Sequence, residues 1–241
     1  MNMKEKIPGV RRICPVFFLL DTSGSMTGPP IGAVNSAIEN IMPELVSMNS
    51  SNADVEINVA IMSFETDTVW ITGEQGLVNP ADFRWKDLDV GNLTSMGKAF
   101  TELEKVLHVN HGEKNFMNRA SGSVAPVLFL MSDGEPSDEY KVGLNKLKEN
   151  NWYKVAFRVA VGYGQSNDAI LAEFTGNPET VLHTNDPNEL KNMIKIIAVR
   201  SSQVASGPLA QDNDDDNTKI LADEFQNNPP ALAAADADED W

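Results

Sequence analysis

Hydrophobic residues along the chain alternate between strand and helix patterns. Residues 16–20 (VFFLL) form an unbroken apolar run that stops at Asp21, the pattern of a strand buried on both faces. Ile31, Val34, Ile38, Ile41 and Leu45 then recur at helical spacing and predict a helix over 31–48. Val55–Phe64 alternates at first and turns fully apolar, as a strand near a sheet edge would. After the turn Glu65-Thr66-Asp67, residues 68–72 predict its hairpin partner. Residues 73–93 carry Gly, Pro and Asp throughout and predict irregular chain. From Thr94 onward, Met96, Ala99, Phe100, Leu103 and Leu107 predict an amphipathic helix.

A second doubly buried strand, 124–131, also stops at a carboxylate, in "SDGEPSD". The pattern continues with a helix over 138–150, a third buried strand over 155–161 and a short helix over 167–174. A last short strand, 181–184, precedes a helix over 187–204, with Asn185 or Asp186 available as its cap. Buried strands alternating with amphipathic helices imply an α/β fold, a doubly wound and mainly parallel sheet. The hairpin adds one antiparallel edge strand.

Near residue 206 the composition changes to an acidic segment rich in Asn, Ala and Pro, with little to bury. The expected division is a folded domain over 1–205 and a disordered acidic tail over 206–241. Within that tail only Ile220-Leu221, Phe225 and Trp241 offer apolar anchors.

The net charge of −16 disfavours nucleic acid and anionic membranes and suits metal cations or partners with basic patches. No apolar stretch approaches the roughly 20 residues of a membrane span. The basic N-terminus is followed by too short an apolar run for a signal peptide. The single cysteine, Cys14, cannot form an internal disulfide. These features predict a cytoplasmic protein.

The candidate chemistry lies where the buried strands end. In an open α/β sheet, ligands collect outside the carboxyl ends of the strands. Asp21 and Asp133 each sit just past such an end, Ser23 and Ser25 follow in the first loop, and Thr94 comes from a third loop. All five side chains offer oxygen, a donor set that selects a hard, octahedral cation such as Mg2+, with Mn2+ or Ca2+ as substitutes. Alternate residues in a tight loop can turn the same way, and Gly24 permits the bend between the serines.

"DTSGSM", Thr94 of "GNLTSMGKAF" and Asp133 of "MSDGEPSD" resemble the von Willebrand factor A (VWA) domain and its metal-ion-dependent adhesion site, over roughly residues 10–204. The resemblance implies that Ser23, Ser25 and Thr94 bind the metal directly, and Asp21 and Asp133 directly or through water. One position would stay open for an Asp or Glu of a protein partner. "RRICPVFFLLDTSGSMTGPPIGAVNSAIENIMPEL" is most similar to the TerY-like proteins of the bacterial tellurium-resistance group. That likeness implies a stress or metal-resistance setting, with a kinase or phosphatase as possible partner.

Enzymatic alternatives lack parts. An aspartyl phosphotransferase of the haloacid-dehalogenase type needs a second aspartate where Ser23 stands. His108, His111 and His183 lie near no nucleophile elbow, and His108 with His111 lacks further zinc ligands. The expectation is therefore a binding domain without catalytic residues, the alternative being a scaffold that binds through other surfaces with a purely structural metal. A flexible acidic tail could also place one of its own carboxylates on the open metal position.

Overall fold

The computed structural model describes residues 11–108, 116–117, 123–183 and 217–227, with isolated positions between 186 and 196. Six strands form one sheet in the order β3-β2-β1-β4-β5-β6: β1 Arg12–Asp21, β2 Val55–Phe64, β3 Thr68–Trp70, β4 Val127–Ser132, β5 Phe157–Gly162 and β6 Val181–His183. All neighbouring pairs are parallel except β2 with β3. The doubly wound sheet with one antiparallel edge strand is the architecture expected from the hydrophobic pattern.

Strand alternation divides the core in two. Val16, Phe18 and Leu20 of β1 point to the face covered by α1 (Pro29–Ser51). Phe17 and Leu19 point to the opposite face, covered by α2 (Met96–Leu107), α3 (Tyr140–Glu149) and α5 (Asp168–Thr175). The helix after β1 thus lies on one face, and the helices after β4 and β5 lie on the other. Strand order reverses between β1 and β4, and a crevice opens at their carboxyl ends.

Several predicted boundaries shift for physical reasons. The helix predicted over 138–150 begins only at Tyr140, because the Asp138 carboxylate turns to cap another helix: it accepts from the Gly97 and Lys98 amides of α2 at 2.9 and 3.1 Å. The strand predicted from 155 begins at Phe157, because Asn150 caps a one-turn helix, α4 (Asn151–Lys154), through the Trp152 and Tyr153 amides. The predicted helix over 187–204 lies almost wholly outside the described residues, as do His111 and Trp241.

Part of the tail departs from expectation. Residues Asn217–Asn227 are helical rather than disordered, and Thr218, Leu221, Ala222 and Phe225 are buried. β6 pairs with β5 only from Ala160 onward, which leaves the first half of β5 as an open sheet edge. A helix laid over such an edge satisfies it and buries its own apolar side. Arg158, itself buried, donates from Nε to Thr218 Oγ1 at 3.1 Å, and Asn217 Nδ2 donates to the Val155 carbonyl at 2.7 Å. Thr218→Val should leave that arginine contact unsatisfied and lower stability by about 1–2 kcal/mol, read as an earlier urea midpoint. An unchanged midpoint would mean the helix is not docked in solution.

Candidate metal centre

Three loops converge at the crevice between β1 and β4. The first carries Asp21, Ser23 and Ser25 and continues into a 3-10 turn at Gly24–Met26. Asp21 is fully buried; its Oδ1 accepts from the Ser23 amide at 2.9 Å and its Oδ2 from the Ser132 hydroxyl at 2.5 Å. The Ser23 and Ser25 hydroxyls lie 3.0 Å apart, so the alternate serines do turn to one side. Ser23 is buried and Ser25 exposed, which places the pair at the lip of the crevice.

Thr94 arrives on a loop sewn to both neighbours. The Gly91 amide donates to the Thr22 carbonyl at 2.6 Å, while Glu65 Oε2 accepts from the Asn92 amide at 2.9 Å. A Cβ on Gly91 would lie 1.8 Å from that same carboxylate, so a larger residue here would push the Glu65 side chain off the Asn92 amide. On the other side, the Thr94 amide donates to Ser137 Oγ at 3.0 Å and the Ser137 amide returns a bond to the Thr94 carbonyl at 2.9 Å. Ser137 belongs to the same loop as Asp133, so Thr94 and Asp133 are held in one hydrogen-bonded frame.

Asp133 is half-buried, and its backbone carbonyl accepts from the Asn167 amide at 2.8 Å. The chain turns after it at Gly134, where φ is +73° and a Cβ would stand 2.9 Å from the Asn167 carbonyl, so the position suits glycine. Asp133 is close enough to Asp21 for their charges to oppose one another. The structure thus gathers all three predicted loops at one crevice.

The electrostatics of the crevice suit a cation. Burial is the main cause that raises the Asp21 carboxyl to about 6; hydrogen bonds from Ser132 and Ser23 work against the rise and Asp133 adds to it. A buried carboxylate with a second carboxylate nearby and only neutral donors is poorly compensated as an anion. Among the described residues no three of His, Cys, Asp and Glu converge as a metal cluster. A cation here must therefore draw on the serine and threonine hydroxyls together with the aspartates, the donor set of a hard ion.

The raised value has a definite sign. In unloaded protein the protonated Asp21 stabilises the fold at low pH, and this contribution is lost as pH rises from about 4 through 6. A bound cation favours the charged form and reverses the cost. The thermal shift produced by Mg2+ should then be large at pH 7.5 and nearly absent at pH 5, with affinity falling roughly tenfold per unit below 6 as the ion displaces one proton. A shift equal at both values would exclude Asp21 from the site.

Ser132 and Glu65 are the participants the linear pattern missed. Ser132 is fully buried, donates to Asp21 and accepts from the Gly134 amide at 2.9 Å, so one hydroxyl joins the ends of β1 and β4. A polar residue closing the apolar run 127–131 was its only visible signal. Ser132→Ala should weaken Mg2+ binding about tenfold in calorimetry, as loss of outer-sphere partners of metal ligands does. Of the histidines, His108 pairs with Glu104, and His183 Nε2 lies 2.9 Å from Asp168 Oδ2. His183 thereby touches the 163–168 loop, while His108 lies at the C-terminal end of α2.

Comparison with known proteins places this geometry. Among solved structures, the ArnB paralog VWA2 from Sulfolobus acidocaldarius aligns at 17% identity and TM-score 0.53, covering 77% of this chain and 44% of that one. Proximal thread matrix protein 1 from the mussel byssus, solved with a zinc-occupied MIDAS motif, aligns at 16% and 0.52, covering 78% and 48%. The TRAP protein of Plasmodium vivax, solved manganese-loaded, aligns at 22% and 0.52, covering 78% and 74%. The chain thus spans less than half of the first two proteins. No curated protein matches it. The family model of the von Willebrand factor type A domain matches residues 16–196, from the first core strand past the last described one, and the chain belongs to that family.

Proposed function

We propose that this domain binds a protein partner through a divalent cation held by Asp21, Ser23, Ser25, Thr94 and Asp133. The observation that carries the reading is the buried, uncompensated Asp21 beside two converging serine hydroxyls. When bound, the cation would supply a Lewis-acidic contact for a carboxylate of the partner. Asp21 and Asp133 balance its two charges, so the loaded site is near neutral and still attracts an anion. Leu93, exposed one residue before Thr94, adds apolar contact area on the same rim.

Mg2+ is the proposed physiological ion, with Mn2+ or Ca2+ as substitutes. The zinc-occupied MIDAS motif of the mussel protein and the manganese loading of the Plasmodium protein support a divalent ion. The domain is proposed to act by binding rather than by turnover, a reading supported by a donor set of two carboxylates and three hydroxyls that suits holding a cation. Among the described residues no helix is long and apolar enough to cross a membrane, and a cytoplasmic role is proposed. The stretch 11–45 supports a setting like that of TerY-like stress-resistance proteins, with a kinase or phosphatase as partner. Titrating Mg2+ into chelator-treated protein tests the reading. A saturable heat near one ion per chain is expected, and no heat at millimolar Mg2+ would refute it.

A further inference from the structure

The loops around the crevice have a one-sided charge. Segments 65–67, 89–95, 133–139 and 163–168 together carry eight carboxylates and no lysine or arginine. Most of these carboxylates already have duties inside the fold. Glu65 holds the Asn92 amide, Asp67 pairs with Lys98 at 2.6 Å, Asp138 caps α2, and Asp168 meets His183. Of the lysines beside these segments, Lys98 is committed to Asp67 and the Thr66 carbonyl and Lys141 pairs with Glu173 at 3.5 Å, while Lys86 stands exposed three residues before Asp89.

Asp89, Glu135 and Glu139 remain exposed. Each sits two residues from a group that ties the site together: Asp89 from Gly91, Glu135 from Asp133, and Glu139 from Ser137. Two residues of chain reach about 7 Å, within a Debye length at physiological salt. The opposite end of the sheet, where β1 and β2 begin, mixes both signs: Arg11 and Arg12 stand there with Asp54 and Glu56, and Arg11 pairs with Glu56 at 3.1 Å. The four segments at the metal end lack that balance.

Resting on the proposed function, we infer that the partner segment is basic around its anchor: a carboxylate that meets the cation, flanked by lysine or arginine that meets Asp89, Glu135 and Glu139. A carboxylate among further acids would be attracted by the ion and repelled by the rim. Like charges across an interface select against wrong partners more strongly than matched charges add affinity. The rim therefore disfavours the chain's own acidic tail, whose helix is in addition anchored along β5 through Leu221 and Phe225.

Three capped heptapeptides test this, each with one central aspartate flanked by glycine, by lysine or by glutamate. Binding is read by fluorescence anisotropy with the full chain, in Mg2+ and in chelator. At low salt with Mg2+, the lysine-flanked peptide should bind about tenfold tighter than the glycine one and the glutamate one weakest. The spread should shrink at high salt. The triple variant Asp89→Asn, Glu135→Gln, Glu139→Gln should erase the preference while leaving the Mg2+ heat unchanged. Equal affinity for the glycine and lysine peptides in Mg2+ would overturn the inference and leave the metal-dependent reading standing. Lysine-peptide binding that ignores chelator, or binding of no peptide to metal-loaded protein, would overturn both.

Discussion

Alanine at both Ser23 and Ser25 is expected to remove the Mg2+ binding heat while leaving the far-ultraviolet circular dichroism unchanged. The two hydroxyls lie 3.0 Å apart and bond to each other, so their joint loss costs the fold little. For a cation the expected loss is larger: two of the five proposed protein donors vanish, and what remains is a pair of carboxylates with Thr94. A hard ion keeps water where protein oxygen is lacking, so affinity should fall at least a hundredfold, beyond calorimetric detection. The Ser23 amide still donates to Asp21, so the loop should keep its course. Normal metal binding in the double variant would place the site elsewhere on the molecule.

The second large effect is structural. Gly143→Ala should destabilise the domain by about 3 kcal/mol, shifting the urea midpoint by roughly 1 M. A Cβ on Gly143 would stand 2.3 Å from the Gly97 carbonyl and 2.9 Å from Thr101 Oγ1. The hydroxyl could rotate away, whereas the carbonyl belongs to the backbone of α2 and cannot. α2 and α3 must therefore separate at their closest point. Gly97 lies three residues after Thr94, and its amide is held by Asp138, so the separation should also loosen the Thr94 loop and weaken Mg2+ binding. A midpoint within 0.2 M of the parent protein would show that the helices cross less tightly in solution.

Much of the crevice was legible before any coordinates. Apolar runs that stop at Asp21 and near Asp133 mark strand ends, and strand ends of a doubly wound sheet face one crevice. The alternation of Asp21, Ser23 and Ser25 marked a loop turning its side chains one way. Ser132, Glu65 and Asp138 were not legible for the same reason that they matter. Their partners lie 111, 27 and 41 residues away in sequence, and a serine or acid near a turn has many local uses.

The amino-acid sequence by itself determined the order of strands and helices, the doubly wound class and which five oxygen-bearing side chains are proposed to hold the cation. These follow from side-chain periodicity and from residue chemistry at strand ends, which are local properties. Only the tertiary structure decided that Asp21 is buried among neutral donors with Asp133 nearby, that Ser132 joins β1 to β4, and that an acidic tail segment folds. The tail shows the difference most plainly. Asn217–Asn227 carries few apolar residues and is too short to be a stable helix alone in water. It gains its structure from the edge that β6 leaves open on β5, where Leu221 and Phe225 reach the core and Thr218 meets Arg158. Such an edge is a property of how strands of unequal length pair, and composition alone carries no trace of it.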